Sequence, residues 1–202
     1  MKKRYGKFKF SDYCASYFAV LVLLAFSAFG WILEAPIILV LLSSAFVLIW
    51  TWTIYSPHRE QFVIKDDSIE TFIGKKTKTI PLPSGLTLVI SYADIAPPLT
   101  RRTAIGNTTH ILKDKIAVSV LQDMETEYVL NKLHQNHVKT YTQSMIKADF
   151  DGYGFIYSFV YYQEAFNKII EGRKCSVIIP EPLKEKVIIN SSNVDVYIDS
   201  KS

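Results

Sequence analysis

The sequence is poor in the residues that build most catalytic and cofactor-binding sites. Its two cysteines, Cys14 and Cys175, are too few for a disulfide framework and are interpreted as small buried hydrophobes. Its eight glycines match neither the Rossmann nor the P-loop spacing, and no Gly-x-Ser-x-Gly elbow is present. These absences predict a protein that is not an enzyme and that carries no cofactor and no metal.

Two residue pairs remain as candidates for chemistry, and each favours a structural role. His134 and His137 have the spacing to share a helix face, but no cysteine and no suitably placed glutamate completes a zinc motif. Asp149 and Asp151 flank a glycine-containing loop, where aspartates are typical of turns rather than of a carboxylate dyad.

Formal charge is nearly absent between residues 13 and 57, where Glu34 is the one charged side chain. Tyr13 to Leu33 and Ile37 to Tyr55 each supply the roughly 20 apolar residues needed to cross a hydrocarbon core. Tyrosines and tryptophans lie near the ends of both stretches, as they do at the headgroup level of a bilayer. The pattern predicts a two-helix transmembrane hairpin over residues 13–57.

Five basic residues fall within residues 1–12, before the first predicted span, and they predict the orientation of the chain. The positive-inside rule places this tail in the cytoplasm, and two spans return the chain to the same side. The prediction is therefore a multi-pass protein of the inner (cytoplasmic) membrane with both termini in the cytoplasm. The predicted spans carry no ionisable residue at mid-depth, which argues against a transporter.

Beyond residue 57 the pattern changes to short apolar runs separated by turn residues, which is typical of β-strands. Asp123 is a candidate N-cap for a helix that runs to Asn136, and Gln163 to Glu171 indicates a second short helix capped by Gly172. Residues 58–202 are thus predicted to form a β-rich α+β cytoplasmic domain, mainly antiparallel, as a small barrel or bent sheet. The predicted strands are 61–64, 68–73, 77–82, 86–92, 109–111, 115–121, 155–161, 175–179, 186–189 and 194–198.

The run from Phe62 to Leu82, FVIKDDSIETFIGKKTKTIPL, resembles the opening of bacterial membrane-anchored pleckstrin-homology-like domain proteins. In that family a hairpin anchor is followed by strand, turn, strand, a Gly-Lys turn and an Ile-Pro-Leu strand. The helix over 123–136 also fits, so that the resemblance covers residues 13–136. It implies a PH-like fold, and a fold by itself does not imply a function.

Two basic clusters are the candidate ligand- or lipid-binding residues. Lys75, Lys76 and Lys78 lie on a predicted hairpin, and Arg101 and Arg102 lie in a polar loop. Near an anionic leaflet each such residue adds about 1 kcal/mol of attraction. The guanidinium fork of an arginine also matches the geometry of a phosphate. Solvated turn residues that keep strand edges from pairing are the alternative interpretation.

The leading functional hypothesis is a membrane-tethered, non-enzymatic binding or regulatory module. Its expected partners are the lipid bilayer and a protein or a phosphate-bearing ligand, with no nucleic acid. One alternative is a two-helix membrane-disrupting effector whose β-rich domain senses a cyclic nucleotide in antiviral signalling, with Arg101, Arg102 and Tyr153 or Tyr157 forming the pocket. Another is a subunit of a larger membrane assembly, in which small residues of the hairpin support homo-oligomerisation.

Overall fold

The computed structural model describes residues 3–6, 60–95, 110–136 and 141–201, together with helical positions scattered between 21 and 49. The chain divides into two compact units. The first contains Met1–Tyr5, Val63–Thr71 and Thr77–Ser202, and the second contains Gly6–Phe62 and Phe72–Lys76. The first unit holds the larger sheet and the three helices that connect its strands.

The predicted transmembrane hairpin is wrong, and with it the predicted multi-pass placement in the inner membrane. Among the described residues, no helix is long and apolar enough to cross a membrane. The longest described helix, Thr126–Asn136, has 11 residues, and its length of about 16 Å covers half of a bilayer core. Hydropathy reports the apolar character of a segment and not the continuity of its helix. Most of residues 13–57 lie outside the described residues.

A small sheet is formed by four strands in the order β1-β2-β3-β4. These are β1 Tyr5–Gly6, β2 Glu60–Ile64, β3 Ser68–Ile73 and β4 Lys76–Pro81. The turn between β2 and β3 falls on Asp66 and Asp67, as the sequence predicts, and the amide of Lys65 donates to the carbonyl of Ser68 at 2.8 Å. Three of the predicted strands are confirmed here.

A larger sheet contains five strands in the order β7-β6-β5-β8-β9. They are β5 Gly85–Ile95, β6 His110–Gln122, β7 Phe155–Val160, β8 Lys174–Pro180 and β9 Val194–Asp199. Strands β5, β6 and β7 are antiparallel, whereas β8 pairs in parallel with both β5 and β9. The prediction of a mainly antiparallel barrel is therefore corrected: the described strands form two sheets, and one of them is mixed.

Helices connect the strands of the larger sheet. Helices α1 Thr126–Asn136 and α2 Gln143–Phe150 lie between β6 and β7, and α3 Gln163–Ile170 lies between β7 and β8. A 3-10 helix over Glu181–Lys186 precedes β9 and extends into the segment predicted as a strand over 186–189, where no strand is described. The parallel pairings follow from these connections, because a crossover returns the chain in the same direction.

Strand β5 is the central strand, and its sequence shows why. Residues 86–91 are all fully buried, in a run that does not alternate between polar and apolar side chains. Such a run is typical of a strand that is covered on both faces. On one face Val89 of β5 and Leu121 of β6 pack against Phe150 of α2 and Leu133 of α1 in a shared apolar core.

Residues 3–5, which fall within the predicted basic tail, pack against α3. Lys3 forms an ion pair with Glu164 in the first turn of α3. The ring of Tyr5 lies 5.4 Å from that of Tyr162, and the hydroxyl of Tyr5 donates to Glu164 at 3.3 Å. Residues 3–5 are therefore part of the folded unit.

Cys175 on β8 is buried, as the sequence predicts, and this has a consequence at alkaline pH. Burial raises the pKa of the thiol from 9.0 to about 11, since a thiolate loses its hydration there. The contribution of the neutral thiol to the free energy of unfolding is therefore fully present below pH 9 and is lost as the pH rises through about 11.

Between pH 8 and pH 11, we expect the free energy of unfolding of the wild-type protein to fall by roughly 1–2 kcal/mol more than that of Cys175→Ala. Urea denaturation at both pH values measures this difference, and equal losses in the two proteins would contradict it.

Candidate binding surface

The outward face of α1 carries an aromatic ring and a lysine one turn apart. Val129 and Leu133 are fully buried and fix the inward face of the helix. Tyr128 and Lys132 are four residues apart and therefore lie together on another face. Tyr128 is half exposed, and the Nζ atom of Lys132 lies 6.0 Å from the centre of its ring. Tyr128 and Lys132 thus form an outward-facing strip along α1, beside the core.

The end of α2 and the loop after it supply two more rings to the same lysine. Phe150, the last residue of α2, is fully buried, and its ring centre lies 5.0 Å from Lys132 Nζ. The ring of Tyr153 lies 4.8 Å from the same atom, and 70% of this side chain is exposed. Lys132 is therefore held among three aromatic rings, two of which face outward.

The loop between α2 and β7 owes its path to two glycines. Gly152 has φ +78° and Gly154 has φ +115°, conformations that residues with a Cβ rarely adopt. The amide of Tyr153 donates to the carbonyl of Phe150 at 2.9 Å, and the amide of Gln122 donates to the carbonyl of Gly154 at 2.8 Å. The Gly-Tyr-Gly sequence thus makes a tight turn that projects the tyrosine ring outward.

A second lysine stands beside this group on α2. Lys147 is exposed, and its Nζ atom lies 6.0 Å from the ring centre of Phe155 at the start of β7. We refer to Tyr128, Lys132, Lys147, Tyr153 and Phe155 as the aromatic–lysine surface. Each lysine–ring contact contributes about 0.5–1 kcal/mol at an exposed site. The contacts restrict where each ammonium group lies.

The electrostatics of the aromatic–lysine surface favour an anion. Across the described part of the chain, no carboxylate lies within ion-pair distance of Lys132 or Lys147. The carboxylate of Asp149 accepts a hydrogen bond from the side-chain Nδ2 of Asn136 at 2.7 Å. Glu125 just before α1 and Glu127 in its first turn precede Tyr128, and they are therefore nearer the start of the helix than Lys132 is. An anion is therefore expected at the Lys132 end, beside Tyr153.

Helix α2 is positioned by a buried carboxylate from β5. Asp94 is 4% exposed and accepts hydrogen bonds from Thr142 Oγ1 at 2.6 Å, from the amide of Ser144 at 3.1 Å, and from Ser144 Oγ. An acidic group at a helix N-terminus satisfies free amides and complements the helix dipole. Asp94 thereby orients the helix that carries Lys147 and Phe150.

The structure describes three of the basic residues predicted from the sequence. Lys75 lies in the turn before β4, while Lys76 and Lys78 lie on β4, an edge strand; all three are exposed. Arg101 and Arg102 lie outside the described residues. These five residues therefore stay a prediction.

Of the histidine pair, the structure describes His134, which contacts a carboxylate. His134 Nε2 lies 2.9 Å from a carboxylate oxygen of Asp199 at the end of β9, and the buried Tyr141 donates to the same oxygen at 3.3 Å. Burial raises the pKa of the Tyr141 hydroxyl, and the nearby Asp199 adds to the effect. His137 lies outside the described residues, and no group of three metal-ligating side chains occurs among those described.

Sequence reasoning named one member of the aromatic–lysine surface, Tyr153, and missed the two lysines. The i, i+4 pair Tyr128 and Lys132 on a predicted helix was a usable signal. Tyr157, the other tyrosine suggested for stacking, is half-buried on β7 with its ring 6.3 Å from that of Phe159. It belongs to the sheet rather than to the exposed surface.

Comparison with known proteins returned no match. No family model, no curated protein and no solved structure matches the chain. The resemblance to pleckstrin-homology-like domain proteins therefore stays a prediction, and functional inference depends on the geometry of the described residues.

Proposed function

We propose that the folded unit is a non-enzymatic binding module whose aromatic–lysine surface holds a nucleotide. The observation that supports this proposal is the position of Lys132. Its ammonium group is held among three rings beside the exposed face of Tyr153, with no carboxylate partner in the described part of the chain. A planar base stacks on an exposed aromatic ring, and an ammonium donates charge-assisted hydrogen bonds to a phosphate.

The expected affinity follows from these two contacts. Stacking of one base on an aromatic side chain is worth about 1–3 kcal/mol. A hydrogen bond to a charged group adds about 1.5–3 kcal/mol. The sum, about 4 kcal/mol, corresponds to a Kd near 1 mM for a mononucleotide. A ligand with more than one base or phosphate would bind more tightly, because it would engage Lys147 or Tyr128 as well.

The first prediction concerns the stacking ring. We expect Tyr153→Ala to weaken AMP binding about tenfold, since it removes the exposed ring while leaving the buried core intact. Tyr153→Phe keeps the ring and should bind as wild type does. NMR titration of the full chain with AMP measures both. Unchanged affinity in Tyr153→Ala would contradict the stacking role.

The second prediction concerns the ammonium group. We expect Lys132→Gln to weaken AMP binding about tenfold and to leave the weaker binding of adenosine unchanged, because adenosine lacks the phosphate. Lys174→Gln, which removes an exposed lysine on β8, is the matched control and should bind AMP normally.

The same titration, repeated with adenosine and with inorganic phosphate, distinguishes nucleotide binding from simple anion binding. AMP should shift signals of α1 and of the loop 151–154 more strongly than adenosine or inorganic phosphate does. A surface that responds equally to phosphate alone would indicate simple anion binding and would contradict base recognition. Binding of single-stranded oligonucleotides with no measurable response to AMP would also overturn the proposal, because it would indicate a nucleic-acid partner.

A further inference from the structure

A cluster of buried polar atoms under α2 has unused hydrogen-bonding capacity. Ser91 Oγ, Ser119 Oγ and Gln143 Oε1 are buried and have no hydrogen-bond partner among the described residues. Both serines are fully buried and Gln143 is 6% exposed. Buried polar groups without a partner are rare in folded proteins, and each lowers stability. If the three atoms lie together, one bound molecule can supply hydrogen bonds to all of them.

The register of the sheet brings these atoms to one place. Ser119 on β6 stands directly opposite Ser158 on β7, and Ser158 Oγ accepts a hydrogen bond from Gln143 Nε2 at 2.8 Å. Ser91 on β5 stands opposite Ala117, which is two residues from Ser119 and therefore on the same face of the sheet. The two serines and the first residue of α2 thus surround one patch of the sheet.

The patch is lined by small side chains. Small side chains stand at neighbouring positions of three strands, at Ser91, Ala117, Ser119 and Ser158. Elsewhere the same face is filled by large residues such as Leu121 and Val89, which pack against α1 and α2. A polar space beside small side chains can hold ordered water, whereas an apolar one would stay dry.

The chemistry of the three atoms identifies the class of ligand. Serine hydroxyls both donate and accept hydrogen bonds, and the amide oxygen of Gln143 only accepts. The occupant must therefore donate at least one hydrogen bond. It should also be neutral, because the nearby carboxylate of Asp94 is already bonded to Thr142 and Ser144. Water meets each of these conditions.

We propose that Ser91, Ser119 and Gln143 form an internal site that binds ordered water between the sheet and the first turn of α2. This water links the N-terminal end of α2 to strands β5 and β6. It supplements the link that Asp94 provides from the end of β5. The site is separate from the aromatic–lysine surface and does not depend on nucleotide binding.

Water–protein cross-relaxation in NMR spectra of the full chain tests the proposal. Water held at this site should give long-residence cross-peaks with backbone amides near Ser91 and Ser119. Ser119→Val fills the space with an apolar side chain and should abolish these cross-peaks. Thr87→Val is the matched control, because the hydroxyl of Thr87 already donates to the carbonyl of Met124 at 3.0 Å, and it should keep them.

A crystal structure at atomic resolution gives the second readout. We expect a water molecule within hydrogen-bond distance of the three orphan atoms. Direct hydrogen bonds among Ser91, Ser119 and Gln143 after side-chain rotation, with no water between them, would overturn the proposal. So would a bound organic molecule at the same place, or cross-peaks that persist in Ser119→Val.

Discussion

Phe150→Ala is expected to lower the free energy of unfolding by about 3–5 kcal/mol. The side chain is fully buried and belongs to the apolar core formed with Leu133, Ile146 and Leu121. Its removal leaves a cavity that the neighbouring strands cannot fill, because the positions of those side chains are fixed by the sheet. Urea denaturation of the variant and of wild-type protein measures the loss.

A second substitution at this position, Phe150→Leu, tests the link between the core and the aromatic–lysine surface. Phe150→Leu keeps most of the buried volume and should cost about 1–2 kcal/mol, which makes it the matched control. It removes the ring that lies 5.0 Å from Lys132 Nζ, so AMP should bind more weakly than to wild-type protein. A loss of stability below 1 kcal/mol in Phe150→Ala would contradict the described packing of α2.

Asp94→Ala is expected to destabilise the protein by about 3 kcal/mol. The carboxylate accepts hydrogen bonds from the fully buried Thr142 and from the amide and hydroxyl of Ser144. Removal of a shared acceptor leaves buried donors unpaired, at a cost of about 1–3 kcal/mol, and also removes a helix cap. The loss should concentrate at α2 rather than spread over the sheet.

Hydrogen exchange resolved by residue distinguishes these outcomes. We expect the amides of Ser144 and Ile146 to exchange faster in Asp94→Ala, while those of β5 and β8 change only by the global loss of stability. Asp94→Asn retains one accepting oxygen and should cost less than alanine does. Equal stability of wild-type and Asp94→Ala proteins would show that Asp94 does not position α2.

Local sequence patterns predicted much of the described secondary structure. In the helix predicted over 163–171, Phe166, Ile169 and Ile170 are buried, as the apolar spacing indicates. The helix ends before Gly172, which adopts φ +70°. The strands over 86–92 and 194–198 were also confirmed. Apolar periodicity and glycine caps act over a few residues, so that a single sequence carries their signal.

Longer-range features were not readable from the sequence. Nothing local in 174–180 indicates that β8 pairs in parallel with β5, since that pairing depends on the crossover through α3. Helix α2 was not predicted, because its eight residues show little apolar period and its N-terminus is capped by Asp94, about 50 residues earlier in the chain. The hydropathy of residues 13–57 indicated apolar character and was taken as evidence of spanning helices, which the described residues do not contain.

The aromatic–lysine surface illustrates the same limit. Tyr128 and Lys132 lie four residues apart on the predicted helix, and Tyr153 lies between two glycines in a predicted loop. That these residues meet depends on how α2 packs, because Phe150 at its end places the loop beside Lys132. Without α2 in the prediction, nothing brought Lys147 or the loop of Tyr153 to Lys132, and the more conspicuous basic runs were chosen instead.

The position of β5 at the centre of its sheet also bears on how the protein acquires its fold during synthesis. Its partner β8 begins at Lys174, about 80 residues after β5 ends at Ile95. At about 5–20 residues per second, a ribosome needs roughly 4–16 s to supply that partner. Through this interval an apolar strand has one unpaired edge, which is the kind of edge that seeds aggregation. The protein is therefore expected to depend on chaperones, or on slow folding at low temperature, more than its modest size would suggest.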